Sequence, residues 1–401
     1  MPSTSLVNDL FEEICRIPLI DPHSHIDPHH PVSQHLDDIL GYHYYTELAH
    51  AAGMSQAPLH ASVEPRERVR AILGHMDRYD NSAQYAWFLD IARTFLGFTG
   101  ERISAGDTDA LCDAAERIFR DPGWEAQVFR QSNLEKIFLT NEFDDPLSGF
   151  DTNKYVPCLR TDALVFHLKQ PEIKQRLERA TGVDVGDLPA LKKALRKLFE
   201  HFTGNGAKAC AISLPPDFAP KGPDANAAFW MLAELCREFR LPFDLMIGVN
   251  RNVYRGGVHQ GRDLFDQRCS LIQYQELFNA FPEVTFCVSV LSSGMNQELV
   301  SHAWIFPNVV TCGHWWYSNI PTYIATDLRA RLQAVPKTKQ IGYYSDAYKL
   351  EFVLPKYNMY RRVLSEVLAS DFVETGRMTD RQAIDLARQI LRDNVQSIFK
   401  V

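Results

Sequence analysis

The chain has 401 residues, of which 45% are hydrophobic and 23% charged. That is globular composition, long enough for one large α/β barrel with insertions or for two smaller domains, and it excludes bulk disorder. The 42 Lys and Arg against 50 Asp and Glu give a net charge of −8, opposite in sign to that of a generic nucleic-acid or anionic-membrane binder.

Eight cysteines include no CxxC pair, and several sit in apolar runs such as AKACAISL and VTFCVSVL. They read as buried free thiols in a reducing compartment. The N-terminus MPSTSLVNDLFEEICRI carries acids where a signal peptide would be basic and then apolar. A cytoplasmic protein is expected, with no nucleic-acid or membrane partner.

Taken in chain order, eight apolar, β-branched runs predict strands: 17–21, 134–140, 155–160, 207–214, 243–249, 284–290, 308–315 and 340–346. From the third onward most gaps hold amphipathic helical patterns, such as ANAAFWMLAELCREF (225–239) and LSEVLASDF (364–372). Apolar strands alternating with helices predict a parallel sheet covered on both faces, and eight of them predict a closed α/β (β/α)8 TIM barrel. The interval from about 28 to 130 breaks the rhythm and reads as helical. It predicts a helical insertion between strands one and two, lying over the C-terminal mouth of a single-domain barrel.

The chemistry gathers at predicted strand ends. In Asp21-Pro22-His23-Ser24-His25, strand alternation points His23 and His25 to one side, spaced to ligate one divalent ion. His29 and His30, in the loop that follows, read as ordinary polar loop residues. Asp346 ends the eighth strand, next to the first in a closed barrel. There a carboxylate completes the His-x-His site and holds or moves a proton, although an Asp after a strand also serves as a helix cap. His43 and Tyr44 suit proton transfer at a polyol carbon. Trp315 and Trp316, after strand seven, can wall a sugar or organic-acid pocket or simply pack on the rim. Arg160 ends strand three and Arg251 follows strand five; either can clamp a carboxylate or lie on the surface.

These residues together resemble the uronate (glucuronate) isomerase family of the amidohydrolase superfamily. The resemblance is carried by DPHSH, HYY at 43–45, FDDP at 143–146, the strand ending in Arg160, MIGVNRN at 246–252, FPNVVTCGHWWYSN at 306–319, SDAYKLEF at 345–352, YRR at 360–362 and DNVQSIF. It spans most of the chain in order. It implies one divalent metal, with zinc expected, on His23, His25 and Asp346. It implies a sugar-acid site lined by His43, Tyr44, Arg160, Trp315 and Trp316. It also implies aldose–ketose exchange of a hexuronate through an enediol. For that exchange Asp346 beside the metal reads as the main proton carrier, with His43 and Tyr44 as catalytic groups that orient and polarise the substrate oxygens.

Some features depart from the superfamily pattern. Met246 and Gly248 stand where strand five would offer a histidine, strand six has none, and His314 is a candidate extra ligand. The only lysine of strand four, Lys208, is at its start, which disfavours a binuclear centre. Three functions therefore stay open: a uronate isomerase; a metal-dependent hydrolase or decarboxylase of a small organic acid or lactone; and a binding protein without turnover. The expected partner is a small sugar acid, and the protein can be a homo-oligomer.

Overall fold

The computed structural model describes residues 2–401. Its centre is formed by eight strands: β1 (Leu19–Asp21), β2 (Leu134–Phe138), β3 (Tyr155–Val156 and Cys158–Arg160), β4 (Ala209–Leu214), β5 (Phe243–Ile247), β6 (Phe286–Val290), β7 (Val309–Cys312) and β8 (Gln340–Ile341). Successive strands pair in parallel. Pro157 has no N–H to give, and it splits β3 into a half paired with β2 and a half paired with β4. Between β8 and β1 the circle closes just beyond the strand ends. The Asp346 N–H donates to the His23 carbonyl at 3.1 Å, and the His25 N–H donates to the Ala347 carbonyl at 2.8 Å. This is the (β/α)8 barrel that the eight apolar runs predict.

Alternation along the strands sorts the core. Ala209 and Ala211 of β4, Met246 of β5, Cys287 of β6 and Val310 and Cys312 of β7 pack in the barrel interior. Their neighbours Cys210, Ile212, Phe243, Leu245, Phe286, Val288 and Val309 pack outward against the surrounding helices. Phe399, from the last helix (Asn394–Phe399), meets Phe138 at 4.9 Å in the same interior cluster. Among the described residues, no helix is long and apolar enough to cross a membrane. All eight cysteines are free, and seven of them are buried.

Four strands end earlier than their apolar runs: 134–140 at Phe138, 340–346 at Ile341, and two more where a glycine turns the chain. The run 243–249 stops pairing at Ile247 because Gly248 takes φ +113° and turns the chain outward. Val249–Asn250 then pairs antiparallel with Leu264–Phe265, a hairpin with no clear periodic signal in the sequence. The run 308–315 stops at Cys312 because Gly313 takes φ +52°, where an added Cβ would stand 2.3 Å from the Tyr344 ring.

Between β1 and β2 the chain is helical, and only part of it borders the mouth. The helix His43–Ala51 reaches the strand ends. The helix Ala83–Phe95 instead lies along Val353–Leu368, where Asn358 donates to Asp90 at 3.0 Å and Trp87 Nε1 to Met359 Sδ at 3.3 Å. Within this interval the helix His43–Ala51 borders the mouth and the helix Ala83–Phe95 lies on the flank.

An ionisable group interrupts the interior. Asp244 of β5 is buried, and its Oδ1 has no hydrogen-bond partner. Burial pushes its carboxyl up to about 7. A folded-state value raised above the unfolded one means stability is fullest at acid pH and is lost as pH rises through about 7. Asp244→Asn should remove that fall, which is on the order of 3 kcal/mol between pH 5 and pH 8. The check is urea unfolding of both proteins at pH 5 and pH 8; an equal loss in the variant would show that another group is responsible.

Candidate functional site

At the C-terminal ends of β1 and β8, His23, His25 and Asp346 each offer a ligand atom, all within 4.8 Å of one another. His23 Nε2 lies 3.5 Å and His25 Nε2 lies 3.3 Å from the same oxygen, Asp346 Oδ1. The two imidazole rings stand 5.3 Å apart and nearly perpendicular. The Thr140 hydroxyl donates to the Ser24 carbonyl at 2.8 Å and so accepts from His25 Nδ1, also at 2.8 Å. That bond fixes the His25 tautomer and leaves the Nε2 lone pair facing the carboxylate. Two acceptors that face each other in a buried place need a cation between them. His23 Nε2 and Asp346 Oδ1 are both buried without a hydrogen-bond partner, which is the condition a bound ion relieves. The donor set of two imidazoles and one carboxylate therefore fits a divalent metal with open positions.

The charges around the site agree with this arrangement. Burial holds the His25 imidazole below its ordinary value and so neutral, against the pull of Asp346. Burial works to raise the Asp346 carboxyl, but the His23 and His25 imidazoles set against it outweigh that and hold it well below the usual carboxylate range.

Asp346 itself is strained. Its φ is +52°, a left-handed conformation that costs a non-glycine residue roughly 1–2 kcal/mol. Its main chain is braced on both sides. The N–H bonds to the His23 carbonyl, and the carbonyl accepts from the Tyr42 hydroxyl at 3.2 Å. Beneath it, the fully buried Lys356 Nζ donates to the Ser345 carbonyl at 2.8 Å and lies 3.5 Å from the Asp346 carbonyl. The rings of Tyr42, Tyr44 and Trp87 stand 5.0–5.3 Å from that ammonium, so its charge rests on aromatic faces and carbonyl dipoles. Burial still pushes it down to about 8. No pattern in the sequence separates Lys356 from other helix lysines.

Through His25 and Asp346 the triad opens onto a cavity of about 190 Å3, while His23 lies behind its wall. The sequence-predicted residues His25, His43, Tyr44, Arg160, Arg251, Trp315, Trp316 and Asp346 all line it. Tyr44 Oη donates to Asp346 Oδ2 at 3.5 Å, and burial keeps its phenol well above 10 and hence protonated. His43 Nδ1 donates to Glu47 Oε1 at 2.7 Å, which leaves Nε2 as the acceptor. Trp316 packs edge-on to His43 at 5.4 Å and, with φ +43°, is a second left-handed residue of the site. Arg160 Nε donates to Asp162 at 3.3 Å, and Arg251 donates to Asp263 at 2.6 Å.

Other residues lie apart from this group, or join it unannounced. His314 faces away: its Nδ1 is 3.8 Å from Asp327 and its ring is 5.9 Å from Tyr360, so it is outside the ligand group. The turn at Gly313 is what redirects it. His29 and His30 also stay outside the cavity, and His30 pairs with Asp27 at 3.0 Å. Met246 lines the cavity wall where a strand-five histidine was sought. Sequence reasoning missed Tyr348, which stacks on His25 at 4.8 Å. Its one cue was its place two residues beyond Asp346. It also missed Ser213, Gln260 and Asp263 on the rim.

Two substitutions test the centre. His23→Ala should drop bound metal well below one ion per chain while circular dichroism is retained; full stoichiometry would remove His23 from the ligands. Lys356→Met keeps all three ligands and removes the brace, so metal affinity should fall about 10–100-fold. Unchanged affinity in a metal titration would mean that the buried lysine only fills space.

Comparisons with known proteins agree with this geometry. The sequence profile of the glucuronate isomerase family matches residues 2–236, and an amidohydrolase profile matches residues 171–341. A uronate isomerase of Thermotoga sp. (strain RQ2) is 24% identical, covering 97% of this chain and 96% of that one. Among solved structures, a uronate isomerase from Thermotoga maritima superposes with a TM-score of 0.90 at 21% identity, covering 99% of this chain and 98% of that one. Glucuronate isomerase from Caulobacter crescentus gives a TM-score of 0.89 at 19% identity, covering 99% of this chain and 94% of that one. With the family profile matching over half of its length, the chain belongs to the glucuronate isomerase family.

Proposed function

We propose that the protein is a metal-dependent aldose–ketose isomerase acting on a hexuronate-like sugar acid, with zinc as the ion. The observation that carries this reading is a single cavity in which His25 and Asp346, two members of the His23–His25–Asp346 triad, share the walls with two arginines and a His-Tyr pair. Two imidazoles and one carboxylate, with positions left open for substrate, are a donor set that zinc takes in catalytic sites. The eight free thiols suit a reducing cytoplasm.

A bound divalent ion supplies Lewis-acid polarisation of the substrate's carbonyl and hydroxyl oxygens. The chain's own groups do the rest. Asp346 Oδ2 is the carboxylate oxygen turned toward Tyr44 rather than toward the histidines, and it takes a proton from one carbon and returns it to the neighbouring one. Tyr44, kept protonated by burial, donates a hydrogen bond to a substrate oxygen. His43, with its tautomer set by Glu47, orients a hydroxyl through Nε2. Arg160 and Arg251 hold the distal carboxylate. Trp315 and Trp316 wall the cavity and keep water from the reacting carbons.

The direct test is a panel of D-glucuronate, D-galacturonate and small lactones, assayed with added zinc and with manganese. Interconversion of a uronate with its ketose is expected. Hydrolysis of a lactone without uronate turnover would move the assignment to the hydrolases of the superfamily. Arg160→Lys keeps the charge but loses the planar fork, so kcat/KM for the uronate should fall by roughly 1–3 kcal/mol in transition-state terms. If Arg160→Lys and Arg160→Ala both match the parent, this arginine does not touch substrate.

A further inference from the structure

The cavity over the triad, about 190 Å3, has room for one monosaccharide acid. It does not end there. A second chamber of about 720 Å3 adjoins it and shares Arg251, Gln260 and Asp263 as a common wall. Two segments distant in sequence build the outer walls: the stretch 56–60 of the helical region after β1, and the loop of the 249–265 hairpin. They are tied together where the Gln56 side chain donates to the Gly256 carbonyl at 2.6 Å.

The charges of this chamber are one-sided. Arg262 faces it, His60 and His259 add hydrogen-bonding groups, and Asp263, the one carboxylate in its lining, is already engaged by Arg251. The cavity has another neighbour, of about 570 Å3, on the Arg160 side. That one carries Glu142 and Asp162, both within 4 Å of Arg160. Arg251 borders both chambers and the acids on the Arg160 side are matched by Arg160, whereas Arg262 on the outer chamber's wall makes no ion pair among the described residues, so an anionic extension of the substrate is drawn to the outer chamber.

We propose that the outer chamber binds the next sugar of an acidic oligosaccharide, so that the protein isomerises the reducing-end uronate of an oligouronide as well as a free uronate. The proposal rests on the isomerase reading of the inner site. The chemistry permits it. Exchange needs only C1, C2 and the ring oxygen on C5 free, so that the sugar can open, and C6 free as a carboxylate. A glycosidic link at O4 leaves all of these untouched. The step is redox-neutral: the C2–H proton moves to C1, the O2–H proton moves to O1, the aldehyde becomes a ketone, and the glycosidic bond stays intact. No co-reactant is required.

The experiment offers O4-linked di-uronides, each beside its own reducing-end monosaccharide, to the metal-loaded full-length protein. For the uronate that turns over, the di-uronide should show kcat/KM within tenfold of the monosaccharide or above it. Arg262→Ala and His60→Ala, on opposite walls, should each lower kcat/KM for the di-uronide about tenfold, mainly through KM, and leave the monosaccharide unchanged. Turnover of monosaccharides alone overturns this proposal and spares the isomerase reading. Equal effects of both variants on the two substrates also overturn it. No turnover of any uronate, free or linked, overturns both.

Discussion

Two reciprocal main-chain hydrogen bonds, Asp346 N–H to His23 and His25 N–H to Ala347, fasten the end of β8 to the end of β1. The other functional features depend on that seam. It closes the barrel where the strand ladder itself has stopped, and it sets a carboxylate from one end of the chain against two imidazoles from the other. The left-handed turn at Asp346 is the cost of making the link and aiming the side chain inward at once. Tyr42, Ser345 and Lys356 supply the bonds that offset it. A buried lysine spent on two carbonyls is an expensive brace, which fits a place where a small rotation would separate three ligand atoms.

From that seam the cavity is graded in character. One part of its wall holds the candidate ligands His25 and Asp346 with the hydrogen-bonding groups Tyr44 and Tyr348; Arg160 and Arg251 stand where it meets the neighbouring chambers. A sugar acid has the same polarity, with reacting oxygens at one end and a carboxylate at the other. Each arginine is already paired with a carboxylate, Arg160 with Asp162 and Arg251 with Asp263. The partners keep the guanidiniums oriented, so the proposed binding of a sugar-acid carboxylate would lose less ordering entropy.

Much of the fold was legible because it is periodic. Eight apolar runs separated by amphipathic stretches specify a parallel barrel, and His23 and His25 follow from alternation on a strand. Asp346 followed from closure, which makes strand eight a neighbour of strand one. What was not legible depends on backbone angles and three-dimensional meeting points. The strand-five run looked two residues longer than β5 because hydrophobicity does not report the positive φ of Gly248. The hairpin that follows has two-residue strands, too short for any periodicity. His314 read as a candidate ligand until the turn at Gly313 sent it toward Asp327. Lys356 lies ten residues beyond Asp346 on a helix face, where only the tertiary fold shows that it reaches back beneath the ligand. The helical region after β1 was recognisable as helical, but which of its helices bordered the mouth was decided by packing against Val353–Leu368.

The central claim is that the β1–β8 seam creates one metal site. Crystals grown with zinc or manganese, with diffraction data collected on both sides of the metal's absorption edge, test it most directly. The account predicts a single anomalous peak within about 2.0–2.3 Å of His23 Nε2, His25 Nε2 and an Asp346 carboxylate oxygen. A peak held elsewhere, or none at these three atoms in metal-saturated crystals, would contradict it.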